Sequence, residues 1–244
     1  MTTVSTGRSY LRARQVLGEA FEEIVAPDVL MIVEHGTKIV DRNGTVIYAD
    51  YFKPNELDHI VDFSRANESI ISLMWFVSPD PEAKMQIWCK NENDVPAVAK
   101  ERGAYAEVFH CAYDGLRRRL SAYALSNISA KLEKFVLVEN LKLHFTRSEI
   151  DIIFQDNMLE YVRNIASKSK AIQYVAAHHG AKTGDMLLAG NAINDIDMLN
   201  LPADTCILVG SDQDADGVIG YLTKPEMIVR VQTPEDLGLY LQKL

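Results

Sequence analysis

The sequence predicts an α/β fold: a doubly wound core with a smaller α+β segment inserted into it. Three observations predict it. Met186 to Ala189 is a short apolar run that stops at Gly190, and a polar loop bearing Asn191, Asn194, Asp195 and Asp197 follows. Strand, polar loop, helix is how an open α/β sheet places acids and amides at the carboxyl ends of its strands, where ligands bind. Val29 to Val33 is continuously apolar, as expected of a buried parallel strand. Between about Tyr51 and residue 155 the texture changes to an alternation of short strands and helices. A length of 244 residues suits one large domain or a core with one insertion.

Taken in order, Thr2 to Ser5 is a short β-prone run, and Thr6-Gly7-Arg8-Ser9 follows at once. Leu11 to Ile24 reads as a helix with Leu11, Val16, Ala20, Phe21 and Ile24 on one face. Pro27-Asp28 breaks it. His35-Gly36-Thr37 turns the chain after the apolar run, and His35 reads either as a turn residue or as a group at a pocket mouth. Lys38–Val40 and Thr45–Tyr48 flank Asp41-Arg42-Asn43-Gly44, a hairpin signal because Asn-Gly tolerates positive φ. In the insert, Asn55–Ala66, Val95–Glu101 and Gly115–Lys134 read as helices. Ile70–Val77, Met85–Cys89, Phe135–Leu143 and Ile150–Phe154 read as strands. A helix opens near Lys168 and ends at Gly180, which suits a C-cap. Cys206–Val209 and Ile228–Val231 are further strands. Pro234 to Leu244 closes the chain as a helix with Pro234 in its first turn.

With 48% hydrophobic and 24% charged residues the chain can bury a sizeable core. The net charge of −9 argues against nucleic acid and anionic membranes, which need basic faces. It leaves small phosphorylated substrates open. Cys89, Cys111 and Cys206 have no metal-ligand spacing, and a small odd count suits a reducing compartment. With no signal peptide and no long apolar span, the expected location is the cytoplasm.

Thr6-Gly7-Arg8, Lys168 in Ser-Lys-Ser-Lys-Ala-Ile, and Gly190-Asn191-Ala192-Ile193-Asn194-Asp195 together resemble the second, third and fourth motifs of the haloacid-dehalogenase superfamily of phosphatases. The insert matches the place of that superfamily's C2-type cap, in the manner of its sucrose-phosphate-phosphatase-like and Cof-type members. The resemblance implies a core of residues 1–50 and 156–244 with a cap of residues 51–155. It implies Mg²⁺-dependent hydrolysis of a phosphate monoester, with a sugar phosphate as the expected substrate. In such chemistry an aspartate attacks phosphorus, a second acts as acid and base, and Mg²⁺ offsets the phosphate charge. By resemblance Thr6 and Gly7 would hold phosphate oxygens, with Arg8 beside them. Lys168 would neutralise the nucleophile and the phosphoryl group as a point charge. Asn194 would touch the phosphate or a substrate hydroxyl, and Asn191 and Asp195 would support the metal.

The sequence departs from that pattern twice. The first motif, Asp-x-Asp-x-Thr after an apolar strand, is absent. Asp195-Ile-Asp197 belongs to the fourth motif, and Asp212-Gln-Asp214-Ala-Asp216 lies in a late polar stretch. Asn191 stands where the family has an aspartate, and Mg²⁺ prefers carboxylates to a neutral amide. In the family's fold the missing strand lies between the strand ending at Thr6 and the one ending at Ala189. Without it those two would stand about 9–10 Å apart, twice the usual spacing. Each backbone group left buried and unpaired costs roughly 1–3 kcal/mol. Either a segment upstream of Met1 carries the motif, or the chain is a non-catalytic phosphosugar-binding or regulatory module, or another chain lends the strand. On the first or second account the 244 residues alone are expected to be inactive.

Other groups have plainer readings. Lys170 and Asp197 read as first-turn charge, and His178-His179 as cations suited to a helix end. Arg117-Arg118-Arg119 reads as a solvated face or an attractor for an anionic substrate. Asp212, Asp214 and Asp216 start like a calcium loop, but Thr223 stands where glutamate is needed, so an acidic surface turn is expected.

Overall fold

The computed structural model describes residues 3–77, 84–133, 145, 149–155, 157–163 and 166–243. The expected strand Phe135–Leu143 falls outside them. The chain forms two compact units, residues 1–166 and 167–244.

In the first unit, residues 4–6 run beside β1 (Met31–Val33) through the parallel bridge Ser5–Ile32, with Thr6 N–H donating to Ile32 O and Ile32 N–H to Val4 O. Among the described residues of the strand expected at Thr2–Ser5, Ser5 forms a single bridge. β1 pairs antiparallel with β2 (Lys38–Val40), and β2 with β3 (Val46–Ala49), so the hairpin forms where Asn43-Gly44 predicts it. β1 is buried on both faces, as a continuous apolar run requires. The expected helix over Leu11–Ile24 is broken. α1 (Tyr10–Leu17) ends at Gly18, which adopts φ 54°, and α2 (Phe21–Ile24) resumes after a 3₁₀ turn. Glycine takes that left-handed conformation without penalty. The break brings Tyr10, Ala13, Phe21 and Val25 against Met31, Val33 and Val40.

The insert carries a six-stranded sheet in the order β6-β5-β4-β7-β9-β8. Its strands are β4 (Ile71–Phe76), β5 (Met85–Cys89), β6 (Ala106–Phe109), β7 (Ile128–Leu132), β8 (Ile150–Gln155) and β9 (Met158–Arg163). α3 (Pro54–Ala66), α4 (Val95–Arg102) and α5 (Tyr113–Ser121) complete it. α3 starts with proline at its first turn, and Glu56 accepts the Lys53 N–H at 2.7 Å. Its buried Leu57, Ile60, Val61 and Phe63 join Leu116 and Leu120 of α5 over the sheet. Phe145 packs against Phe63 and Tyr161 with its ring tilted to both, the centroids 5.0 and 5.6 Å away. The helix expected over Gly115–Lys134 is corrected: α5 stops at Ser121, and Ile128–Leu132 is a strand between β4 and β9. Its residues have ordinary helical composition, but two sheet neighbours and the burial of every residue except Lys131 outweigh that weak local preference.

The chain enters and leaves the insert through a buried ion cluster. Arg163 Nη1 donates to Asp50 Oδ1 at 2.5 Å, its Nε lies 3.3 Å from Glu56, and its Nη2 pairs with Glu149. Asp50, Glu56 and Arg163 are all buried. β9, the strand that ends in Arg163, belongs to the six-stranded sheet.

The second unit is a parallel sheet, β10 (Leu187–Gly190), β11 (Thr205–Val209) and β12 (Ile228–Val231), in that order. α6 (Lys168–His178) precedes it. α7 (Ile196–Leu199) and α8 (Asp212–Ile219) lie in its crossovers, and α9 (Pro234–Leu241) follows. α9 opens with a reciprocal cap: Thr233 Oγ1 accepts the Asp236 N–H and Asp236 accepts the Thr233 N–H, both at 3.1 Å. The stretch expected as an acidic turn at Asp212 is the helix α8, a backbone that does not form a calcium loop. β10 is an edge strand: among the described residues its strand partner is β11. No helix among the described residues is long and apolar enough to cross a membrane.

Candidate functional site

In the second unit the expected lysine and the expected aspartate meet. Ser167 caps α6, accepting the Lys170 N–H at 3.2 Å, and so fixes Lys168 as the first helical residue. Lys168 is 5% exposed, and its Nζ pairs with Asp195 Oδ1. Asp195, also 5% exposed, sits at the end of the 3₁₀ turn Ile193–Asp195. Its Oδ2 accepts the N–H groups of Asn191 at 2.9 Å and Ala192 at 3.2 Å. One carboxylate therefore binds a cation and pins the turn that leaves β10. Gly190 is required there, because a Cβ would stand 2.7 Å from Asp195 Cβ and 2.9 Å from its Cγ. Asp197, expected as simple first-turn charge, accepts the Ser169 N–H at 3.0 Å and ties the start of α6 to α7. Asn194 is half-buried on the same turn, and Asn191 is exposed.

In the first unit Thr6, Gly7 and Arg8 form a tight loop. The Thr6 hydroxyl accepts the Arg8 N–H at 3.1 Å, a local turn that threonine favours. Arg8 is exposed. A second turn lies against this loop. Glu34 N–H donates to Arg8 O at 3.0 Å, and His35 N–H to Thr6 O at 3.2 Å. The His35 ring covers Gly7 so closely that a Cβ there would overlap it. Glu34 and His35 hold φ values of 51° and 60°. Such left-handed backbone costs non-glycine residues of order 1–3 kcal/mol each and persists where surroundings enforce it. Both side chains are buried. Glu34 accepts from Lys38 Nζ at 2.9 Å and from Ser126 Oγ at 2.6 Å, and His35 Nε2 pairs with Glu160.

Thr6, Gly7 and Arg8 thus stand in the first unit, and Lys168, Asn191, Asn194 and Asp195 in the second. The sequence reading had missed Glu34, Lys38, Ser126 and Glu160. The i, i+4 spacing of Glu34 and Lys38 is a visible pairing signal. No local pattern marks Ser126, which lies just before β7, or Glu160, which lies in β9, both far along the chain from the turn.

The metal implied by the family resemblance finds few ligands here. Both Asp195 oxygens are engaged, Asn191 is neutral, and among the described residues no group of three His, Cys, Asp or Glu side chains is placed to hold a metal ion. Mg²⁺ takes near-octahedral oxygen ligands with carboxylates among them. The described donor set does not fit it.

Taken together, the parallel strands, the helix-opening lysine and the inserted mixed sheet, antiparallel except for its β5–β6 pair, define an α/β protein with a cap. The sequence model of the haloacid dehalogenase-like hydrolases matches residues 1–214, and the chain belongs to that family. HMP-PP phosphatase of Cronobacter sakazakii is 25% identical over 213 residues, which span 84% of this chain and 70% of that protein. A sugar phosphatase of subclass IIB of the superfamily superposes with a TM-score of 0.68 at 17% identity, over 97% of this chain and 81% of its own. A haloacid dehalogenase-like hydrolase from B. subtilis gives 0.71 at 15% identity, over 99% and 87%. At these identities the structural likeness carries the fold.

Proposed function

We propose that the protein handles small phosphorylated substrates, sugar phosphates foremost, and that these 244 residues bind such a ligand without turning it over. The observation that carries this reading is the buried Lys168–Asp195 pair at the carboxyl end of a parallel strand. The alternative is a structural ion pair, since Asp195 is itself the anion that a first-turn lysine opposing the helix dipole calls for. The pair's place at the carboxyl end of a parallel strand, where open α/β sheets bind ligands, favours the ligand reading. Thr6, Gly7 and Arg8 supply a hydroxyl, a backbone amide and a guanidinium, the donors a phosphate takes. Turnover by the family's route needs an aspartate nucleophile, and no Asp-x-Asp-x-Thr follows an apolar strand in this sequence. By the family resemblance this reading assigns residues 1–50 and 156–244 to the core and 51–155 to the cap, although β9 (Met158–Arg163) pairs within the six-stranded sheet.

A second reading, a phosphosugar-binding or regulatory module with no catalysis in any context, is favoured by Asn191 in place of the expected aspartate. One experiment addresses both. A panel of sugar phosphates and HMP-PP is incubated with the chain, with and without Mg²⁺ and EDTA, and phosphate release and binding are measured. The expected result is binding that EDTA leaves unchanged and no release above an Asp195→Asn control. Release abolished by EDTA would overturn the proposed inactivity. Absence of binding to every member would overturn the phosphate reading itself.

A further inference from the structure

The Glu34–His35 turn touches every residue of the Thr6-Gly7-Arg8 loop. Backbone N–H groups of the turn bind the carbonyls of Thr6 and Arg8, and the His35 ring lies on Gly7. Both side chains of the turn also make contacts toward the inserted sheet, while the His35 ring keeps its place on Gly7. Glu34 meets Ser126, just before β7, and His35 meets Glu160 in β9. Asn127 Nδ2 also donates to Glu160 at 3.4 Å, which fixes the far end of the contact. The turn is buried and held in left-handed backbone at two consecutive non-glycine residues. A two-residue segment with that geometry has little freedom to move one contact without the other.

We infer that Glu34 and His35 are positioning residues, through which the inserted sheet sets the conformation of the Thr6-Gly7-Arg8 loop. The inference rests on the phosphate reading only in the purpose it gives the loop. The wiring itself follows from contacts within the first unit. Its functional form is that substitutions in β9, outside the Thr6-Gly7-Arg8 loop, change anion affinity by way of His35.

The test uses the whole 244-residue chain and inorganic phosphate as the probe. Amide resonances of Thr6, Gly7 and Arg8 are followed by NMR in the native protein, in Glu160→Gln, in His35→Asn and in the double variant. Glu160→Gln keeps size and hydrogen-bonding capacity, and asparagine tolerates positive φ, so both substitutions preserve the fold that circular dichroism checks. The expected result is that Glu160→Gln moves the Gly7 amide resonance, and that in the His35→Asn background the same substitution leaves it unmoved. Phosphate affinity should fall roughly three- to tenfold in each single variant, with no further loss in the double, the non-additivity of residues acting through one contact. A Gly7 resonance indifferent to Glu160→Gln, or additive losses, would overturn the inference. If the native chain binds no phosphate, the phosphate reading falls, and the resonance arm still decides the wiring. If Glu160→Gln unfolds the chain, Ser126→Ala, which cuts the Glu34 contact, takes its place with Arg8 as the reporter, and an unmoved Arg8 resonance overturns the inference.

Discussion

At the scale of single residues, the second unit turns on one carboxylate. Asp195 binds Lys168 with one oxygen and two backbone N–H groups with the other. Removing one partner of a buried pair leaves the other charge uncompensated, at roughly 3–5 kcal/mol. Lys168→Met is therefore expected to lower the urea stability of the chain by about that amount. Lys168→Met combined with Asp195→Asn should recover much of the loss, because the asparagine oxygen still accepts from Asn191 and Ala192 and no charge remains. Urea titrations of the three proteins, followed by circular dichroism, check this. A double variant no more stable than Lys168→Met would mean that the lysine contributes packing rather than charge. Lys168 and Asp195 were legible in the sequence as candidates because their motifs are local. That Asp195 also clamps the Asn191–Ala192 turn was not legible, since side-chain to backbone bonds leave no pattern in residue types.

At the scale of elements, local signals fared best where a cap or a turn residue fixed them. Pro234 opens the last helix, Gly180 follows the end of α6 with φ 68°, and Asn43-Gly44 makes a hairpin. They failed at Gly115–Lys134, where a helical composition covers one helix and one central strand. Only the strands on either side, β4 and β9, decide the matter, and they are distant in sequence. The helix that does form, α5, begins with Tyr113, whose hydroxyl donates to Ser64 O at 3.2 Å. Burial, with the nearby Glu68 charge, pushes the Tyr113 hydroxyl up to about 12, and Arg65 partly offsets this. The unfolded value is about 10. Between those values the folded state holds the proton that the unfolded state has lost, so stability is full below pH 10 and falls as pH rises toward 12. Tyr113→Phe should flatten that decline, though not abolish it, because Tyr161 is pushed up by burial too. Denaturant midpoints measured from pH 9 to 11.5 in both proteins would check it, and equal slopes would sink the assignment.

At the scale of the whole molecule, the two units differ in how well their sheets are braced. The cap sheet has six strands, with β4, β7 and β9 each paired on both sides and an aromatic core of Phe63, Phe145 and Tyr161. The sheet of the second unit has three short parallel strands, and β10 lies at its edge. Local opening follows contact density and the exposure of backbone hydrogen bonds. Native-state hydrogen exchange should therefore be slowest at Met74, Ala130 and Tyr161, and faster along Leu187 to Gly190. Equal protection in both sheets would show that β10 gains a partner in solution. The missing Asp-x-Asp-x-Thr leaves open in the sequence whether the neighbouring strands re-pair or a further strand is supplied, and among the described residues the second unit's sheet has three strands with β10 at its edge.

The run Glu34-His35-Gly36 carries three positive φ values in a row, 51°, 60° and 90°. Few side chains can live in that region of backbone space, and β-branched ones are outliers there. The positions therefore accept a narrow alphabet of glycine, asparagine and aspartate besides the residues present. Those substitutes would keep the backbone path and discard the contacts to Ser126 and Glu160. A lineage drifting at residues 34 and 35 can thus keep its shape while losing the connection between the two sheets of the first unit.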